Sequence, residues 1–163
     1  RQRQMCIRDS RYPPQGVRGV AMANRACTFG TTYREYMEGA ASTLLGIVQI
    51  ESESALTSVD AIAAVEGADV LFVGPMDLTQ SLGILAQYDH PRYGEALEAV
   101  SAAARRHGKS LGVLMARPED FDRYHALGFR LIACGSDGTL LNAGARRQME
   151  LLAAARTRCT VAS

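Results

Sequence analysis

The chain has 163 residues, 47% of them hydrophobic and 21% charged, with 18 Lys and Arg against 17 Asp and Glu. That is enough for one ordinary globular domain, and the balance excludes a disordered chain. A net charge of +1 gives no electrostatic case for a nucleic-acid or membrane partner. No apolar run reaches the ~18 residues that span a bilayer, and no early apolar block resembles a signal peptide. Trp is absent and aromatics are 6%, so the core must be mostly Ala, Leu, Val and Ile. Cys6, Cys27, Cys134 and Cys159 lie far apart with no C-x-x-C spacing. This argues against a zinc knuckle or a disulfide framework and points to the cytoplasm.

Residues 1–10 show neither helical nor strand periodicity and read as an unmatched leader, outside the domain. Tyr12-Pro13-Pro14-Gln15-Gly16-Val17-Arg18-Gly19 reads as an ordered loop. Residues 31–41, with Tyr33, Tyr36 and Met37 on one face, are predicted to be a helix. From residue 44 a unit repeats: a short apolar run, a polar loop, an amphipathic helix, a Gly. The runs are Leu44–Ile50, Asp69–Val73, Ser110–Met115 and Phe129–Ala133, with the composition of buried parallel strands. Helices are expected at about 53–66, 92–107 and 118–127, and a closing helix at about 138–156. Leu97, Val100 and Ala104 mark the apolar face of the second. Pro91 and Pro118 sit where a first helical turn accepts proline, and Gly67, Gly108 and Gly128 sit just past helix ends. The domain is set at 11–157 and residues 158–163 are read as a tail. Strand–helix alternation of this kind implies an α/β fold with a parallel sheet and right-handed crossovers. Such folds carry their chemistry at the carboxyl ends of the strands.

Two strand ends carry carboxylates. In Ile47-Val48-Gln49-Ile50-Glu51 a period of two places Ile47, Gln49 and Glu51 on one side. The second strand exits through Gly74-Pro75-Met76-Asp77-Leu78, where Gly and Pro are expected to fix a sharp turn. Glu51 can open the next helix, where the dipole favours a negative charge, and Asp77 can cap one. Alternatively, the two converge from adjacent strands and offer hard oxygen ligands to Mg²⁺ or Mn²⁺. Ser136 or Asp137 suits the N-cap of the closing helix, with a backbone anion site there as the other reading. His90, His107 and His125 fall in or beside helices and read as surface or packing residues. Arg18 reads as a solvated or interface residue, with anion binding as the alternative. No P-loop, Ser–His–Asp pattern or dinucleotide fingerprint occurs.

The residues from Tyr12 to Gly19, Gln49-Ile50-Glu51, Phe72-Val73-Gly74-Pro75-Met76-Asp77-Leu78 with Ser81-Leu82-Gly83, and Gly135-Ser136-Asp137 together resemble the HpcH/HpaI aldolase family. Order and intervals agree over about residues 11–150. The resemblance implies class II, metal-dependent cleavage of 4-hydroxy-2-oxo acids to pyruvate and an aldehyde. It implies that Glu51 and Asp77 ligate a divalent metal, Mg²⁺ or Mn²⁺, with Co²⁺ a further candidate. Gln49 would contact the oxo-acid end of the substrate, the backbone at Met76 would hold its carboxylate, and the Met76 side chain would shape the pocket. The family fold is a (β/α)₈ TIM barrel of roughly 250 residues, of which this chain matches strands 5–8, its C-terminal portion. The catalytic His and enolate-stabilising Arg of the family have no counterpart here, and a truncated form is expected. The resemblance also implies a homo-oligomer. Two alternatives remain: a citrate-lyase-β-like acyl-CoA lyase, and an inactive half-barrel.

Overall fold

A computed structural model of the chain describes residues 7–161, with side chains as far as Thr157. Helix α1 (Tyr33–Thr43) precedes four strands, β1 (Ile47–Ile50), β2 (Val70–Val73), β3 (Ser110–Met115) and β4 (Phe129–Cys134). The strands form one sheet in the order β1-β2-β3-β4, and every pairing is parallel. Parallel neighbours need a crossover, and each crossover here contains helix. Helices α2 (Glu53–Thr57) and α3 (Val59–Ala63) join β1 to β2, and α4 (Pro75–Ser81) and α5 (Pro91–Arg106) join β2 to β3. A 3-10 turn at Pro118–Asp120 and α6 (Phe121–Ala126) join β3 to β4, and α7 (Asp137–Val161) follows. No described helix is long and apolar enough to cross a membrane.

The expected α/β architecture is present, with local differences. The single helix expected at 53–66 is two, broken at Ser58 (φ −100°, ψ 11°). Thr57 and Ser58 are poor helix formers, and the Thr57 hydroxyl donates to the Glu53 carbonyl at 2.9 Å. The segment from Gly74, read as a turn, opens α4 instead. Gly74 caps it and Pro75 takes a first-turn position where its missing N–H costs nothing. A 3-10 turn at Arg25–Gly30 was not indicated by periodicity; Asn24 caps it by accepting the Cys27 N–H at 3.0 Å. The closing helix runs on to Val161, through most of the stretch read as a tail.

Residues 7–10, part of the expected leader, form a helical turn. The Arg8 carbonyl accepts the Val17 N–H at 2.9 Å, and Arg11 donates an ion pair to Asp69 at 4.0 Å. Backbone hydrogen bonds and the Ser10 hydroxyl, which donates to the Ile7 carbonyl at 2.7 Å, hold this turn, and none of these follows an apolar period. Residues 1–6 lie outside the described residues.

One face of the sheet packs on the helices. Ile50, Leu71, Val73, Val113 and Phe129 are fully buried there, against Ala63, Leu97, Val100 and Ala103. Ala, Leu, Val and Ile fill most of this core as composition implies, but its largest buried members are Tyr93, Tyr124 and Phe129. The Tyr93 and Tyr124 hydroxyls satisfy each other at 2.9 Å, so both rings can be buried without orphaning a polar atom. The opposite face is open: Ile47 is 50% exposed, Leu114 46% and Leu131 39%.

Candidate active site

The β1 alternation came out as period two requires, with Val48 and Ile50 buried and Ile47 and Gln49 exposed. Ile50 pairs with Val73 in register. The next residue on each strand is then Glu51 and Gly74, so the two exits lie side by side. The Gly74 N–H continues the ladder by donating to the Ile50 carbonyl at 3.3 Å. A β-carbon on Gly74 would stand 2.9 Å from Gln49 Nε2, 3.3 Å from Glu51 Cβ and 3.5 Å from Glu51 Oε2. Gln49 and Glu51 thus converge over Gly74, and the lack of a side chain there is what admits them.

Asp77 lies three residues on, in the first turn of α4. It does not cap the helix, since Gly74 holds that place. Met76 and Asp77 are both exposed at the carboxyl-end rim of the sheet. Among the described residues, neither the Glu51 nor the Asp77 carboxylate makes a hydrogen bond or an ion pair. That is unlike Asp60, Asp89 and Asp120, each of which holds an arginine. No cluster of three or more His, Cys, Asp or Glu that could hold a metal occurs among the described residues. Glu51 and Asp77 thus leave two hard oxygen donors, with the Gln49 amide, at neighbouring strand exits. This donor set fits a cation that fills its other positions with water or substrate oxygens.

Several neighbours of this site were not indicated by the sequence. The Tyr88 hydroxyl lies 4.0 Å from Met76 Sδ, and the Arg117 guanidinium stands 5.5 Å over the Tyr88 ring. Arg117 donates to both oxygens of Asp89 and both of Asp120, each at 2.8 Å. It thereby staples the loop after α4 to the loop after β3. Arg117 holds the Asp89 carboxyl below its ordinary value, and Asp89 and then Asp120 hold the guanidinium protonated. Arg123 donates to the Tyr88 carbonyl at 2.8 Å. These contacts join residues 28 and 35 positions apart, and no local spacing signals them.

The other residues singled out in the sequence are placed elsewhere. His90 caps α5 by accepting the Arg92 N–H at 3.2 Å, His107 pairs with Asp60 at 3.1 Å, and His125 stacks on Phe121. Ser136 Oγ accepts the Thr139 N–H at 3.2 Å, the N-cap contact expected for α7. Arg18 stacks over the Tyr12 ring at 4.9 Å.

A parallel four-stranded α/β sheet of this kind recurs in TIM-barrel-like aldolases and lyases, and comparison with known proteins gives the family. The chain matches the HpcH/HpaI aldolase/citrate lyase family model over residues 5–143, and it belongs to that family. The match starts within the stretch read as a leader. A 5-keto-4-deoxy-D-glucarate aldolase of Salmonella paratyphi C is 43% identical over 131 residues, 80% of this chain and 51% of that protein. That of Salmonella arizonae is 40% identical over 141 residues, 86% of this chain and 55% of that protein. The chain thus spans about half the length of the curated relatives it matches. An HpcH/HpaI aldolase/citrate lyase family protein from Burkholderia cenocepacia superposes with a TM-score of 0.83 at 35% identity, over 92% of this chain and 60% of that one. The HpcH/HpaI aldolase of Desulfitobacterium hafniense gives 0.79 at 28% identity, over 90% and 57%.

Proposed function

We propose that the chain carries the metal- and oxo-acid-binding half of a class II aldolase that cleaves 4-hydroxy-2-oxo acids to pyruvate and an aldehyde. The observation that carries this reading is the convergence of Gln49 and Glu51 over Gly74, with Asp77 one helical turn away and, among the described residues, no hydrogen bond or ion pair on either carboxylate. The name of the Salmonella relatives' substrate fits the class. In 5-keto-4-deoxy-D-glucarate the ketone adjoins a terminal carboxylate, a deoxy carbon follows, and a hydroxyl lies beyond. That is a 4-hydroxy-2-oxo acid counted from the other end.

In this reading Glu51 and Asp77 hold Mg²⁺, Mn²⁺ or Co²⁺, and the cation supplies Lewis-acid stabilisation of the charge that grows on the 2-oxo oxygen. Gln49 donates its amide to the oxo-acid end and orients it. The backbone at Met76, in the first turn of α4, receives the substrate carboxylate, since first-turn N–H groups lack intrahelical acceptors. The Met76 side chain, 51% exposed beside Tyr88, borders the space for the aldehyde portion. Lys109, the one lysine, donates to the Val65 carbonyl at the amino ends of the strands, so Schiff-base chemistry has no candidate here. The acyl-CoA alternative needs cations for phosphates, whereas Arg92, Arg117 and Arg123 are each bound to protein acceptors.

The four strands stand for the fifth to eighth of a barrel, and the remaining strands would cover the open face with Ile47, Leu114 and Leu131. Leu140, Leu141, Met149 and Leu152 on α7 are also exposed, by 63–76%. This favours the expected homo-oligomer, in which such a surface is covered. The cytoplasm remains the compartment proposed.

The test is a full-length form, made by joining this chain to the amino-terminal half of one of the Salmonella aldolases. It should release pyruvate from 5-keto-4-deoxy-D-glucarate when supplied with Mg²⁺ or Mn²⁺. Release that continues in a chelator, or that needs a CoA thioester, would exclude the reading.

A further inference from the structure

The Ser81-Leu82-Gly83 segment that closes α4 has no part in the chemistry above. The Ser81 hydroxyl accepts the backbone N–H of Glu53 at 2.9 Å, across 28 positions of sequence. Glu53 is the first residue of α2, whose first-turn N–H groups have no partner within the helix. Ser52 takes one of them, from Ala55, at 3.2 Å, and Ser81 takes another from a different helix. The contact is doubled. The Glu53 carboxylate pairs with Arg92 Nη2 at 3.4 Å, and Arg92 Nη1 donates to the Leu82 carbonyl at 2.6 Å.

Glu51 lies two residues before Glu53, and Asp77 four residues before Ser81. At its other end α4 starts at Gly74, against Gln49 and Glu51. Helix α4 is therefore fixed to the β1 exit at both ends, with Asp77 between the two points. A helix tied at one end can swing; tied at both, its tilt against Glu51 is set. A small hard cation shared by two carboxylates requires both oxygens at about 2.0–2.1 Å, so small errors in that tilt cost affinity.

We propose that Ser81 is a positioning residue that sets Asp77 against Glu51 by holding the Glu53 N–H, and so tunes the divalent-cation affinity of the pair. The proposal rests on the reading of Glu51 and Asp77 as metal ligands. Ser81 is exposed, so its loss should spare the fold.

The 163-residue chain is titrated with Mn²⁺, free ion being followed by electron paramagnetic resonance, for the parent, Ser81→Ala, Ser81→Thr, Arg92→Met and Glu51→Gln. Each is also melted without metal. Loss of one such hydrogen bond should weaken Mn²⁺ binding about five- to tenfold in Ser81→Ala. Ser81→Thr, which keeps the hydroxyl, should restore it. Arg92→Met, which loosens the same clasp, should weaken binding in the same direction. Metal-free melting of Ser81→Ala should stay within about 2 °C of the parent, as for an exposed substitution. Parental Mn²⁺ affinity in Ser81→Ala, with affinity lost in Glu51→Gln, overturns the positioning role and leaves the metal reading standing. So does a lowered melting temperature that Ser81→Thr does not restore. Unchanged affinity in Glu51→Gln overturns the metal reading and this inference with it.

Discussion

Gln49 reaches over Gly74 so closely that a β-carbon on the glycine would stand 2.9 Å from the Gln49 amide nitrogen. The backbone of Gly74 (φ −98°, ψ 94°) is one that any residue can adopt. The glycine is therefore needed for space and not for conformation.

Gly74→Ala separates these two demands. The folded chain accepts alanine's backbone and gains about 0.4–1 kcal/mol from a stiffer unfolded state. The Gln49 amide and the Glu51 stem must give way. Thermal melting should be unchanged or slightly raised, while pyruvate affinity of the full-length form falls about tenfold. Calorimetric melting and a pyruvate titration check both halves; a variant that loses stability and keeps affinity contradicts the account.

The Arg117 staple predicts an acid-labile rim. The Arg117 guanidinium holds the Asp89 carboxyl below its ordinary 3.8. A depressed folded value gives stability that is present above the unfolded value and lost as pH falls through the folded one. Asp60, held down by Arg106 and then His107, acts in the same sense. Urea unfolding should show stability falling as pH drops below the ordinary carboxylate value. Asp89→Asn, already lacking the charge, should fall less steeply than the parent.

The Tyr93–Tyr124 pair predicts the opposite limb. Burial, and next Tyr124, push the Tyr93 phenol far above its ordinary 10.0. A raised folded value gives stability that is complete below the unfolded value and declines once unfolded tyrosine ionises above it. Tyr93→Phe orphans the Tyr124 hydroxyl and should cost about 1–3 kcal/mol at neutral pH. Tyr93→Phe with Tyr124→Phe should recover part of that loss and flatten the alkaline decline, as read by urea melts at both pH values.

Much of this was legible in the sequence because its signals are local. Apolar runs between glycine-capped helices announced the parallel sheet, and Gly67, Gly108 and Gly128 do take positive φ. The period of two in β1 placed Gln49 and Glu51 on one side. What stayed hidden depends on distant partners. Helix α4 reads as a turn because its Gly-Pro start resembles one. Ser81 and Glu53, or Arg117 and Asp89, meet only after the crossovers bring their loops to one rim. The turn at residues 7–10 is held by the Arg8 carbonyl and by the Ser10 hydroxyl on the Ile7 carbonyl, contacts that leave no apolar period to read.

Glu51 and Asp77 are proposed to act together on the enolate of a 2-oxo acid. Exchange of the pyruvate methyl protons with deuterated water, followed by proton resonance in the full-length form, reads that step without the aldehyde. Exchange should require a divalent cation and stop in a chelator. Asp77→Asn, which keeps the shape and removes the charge, should slow it about a hundredfold, the loss of ~3 kcal/mol of transition-state stabilisation. Exchange that persists in the chelator, or at the parental rate in Asp77→Asn, would show that these carboxylates do no more than complement the helix starts beside them.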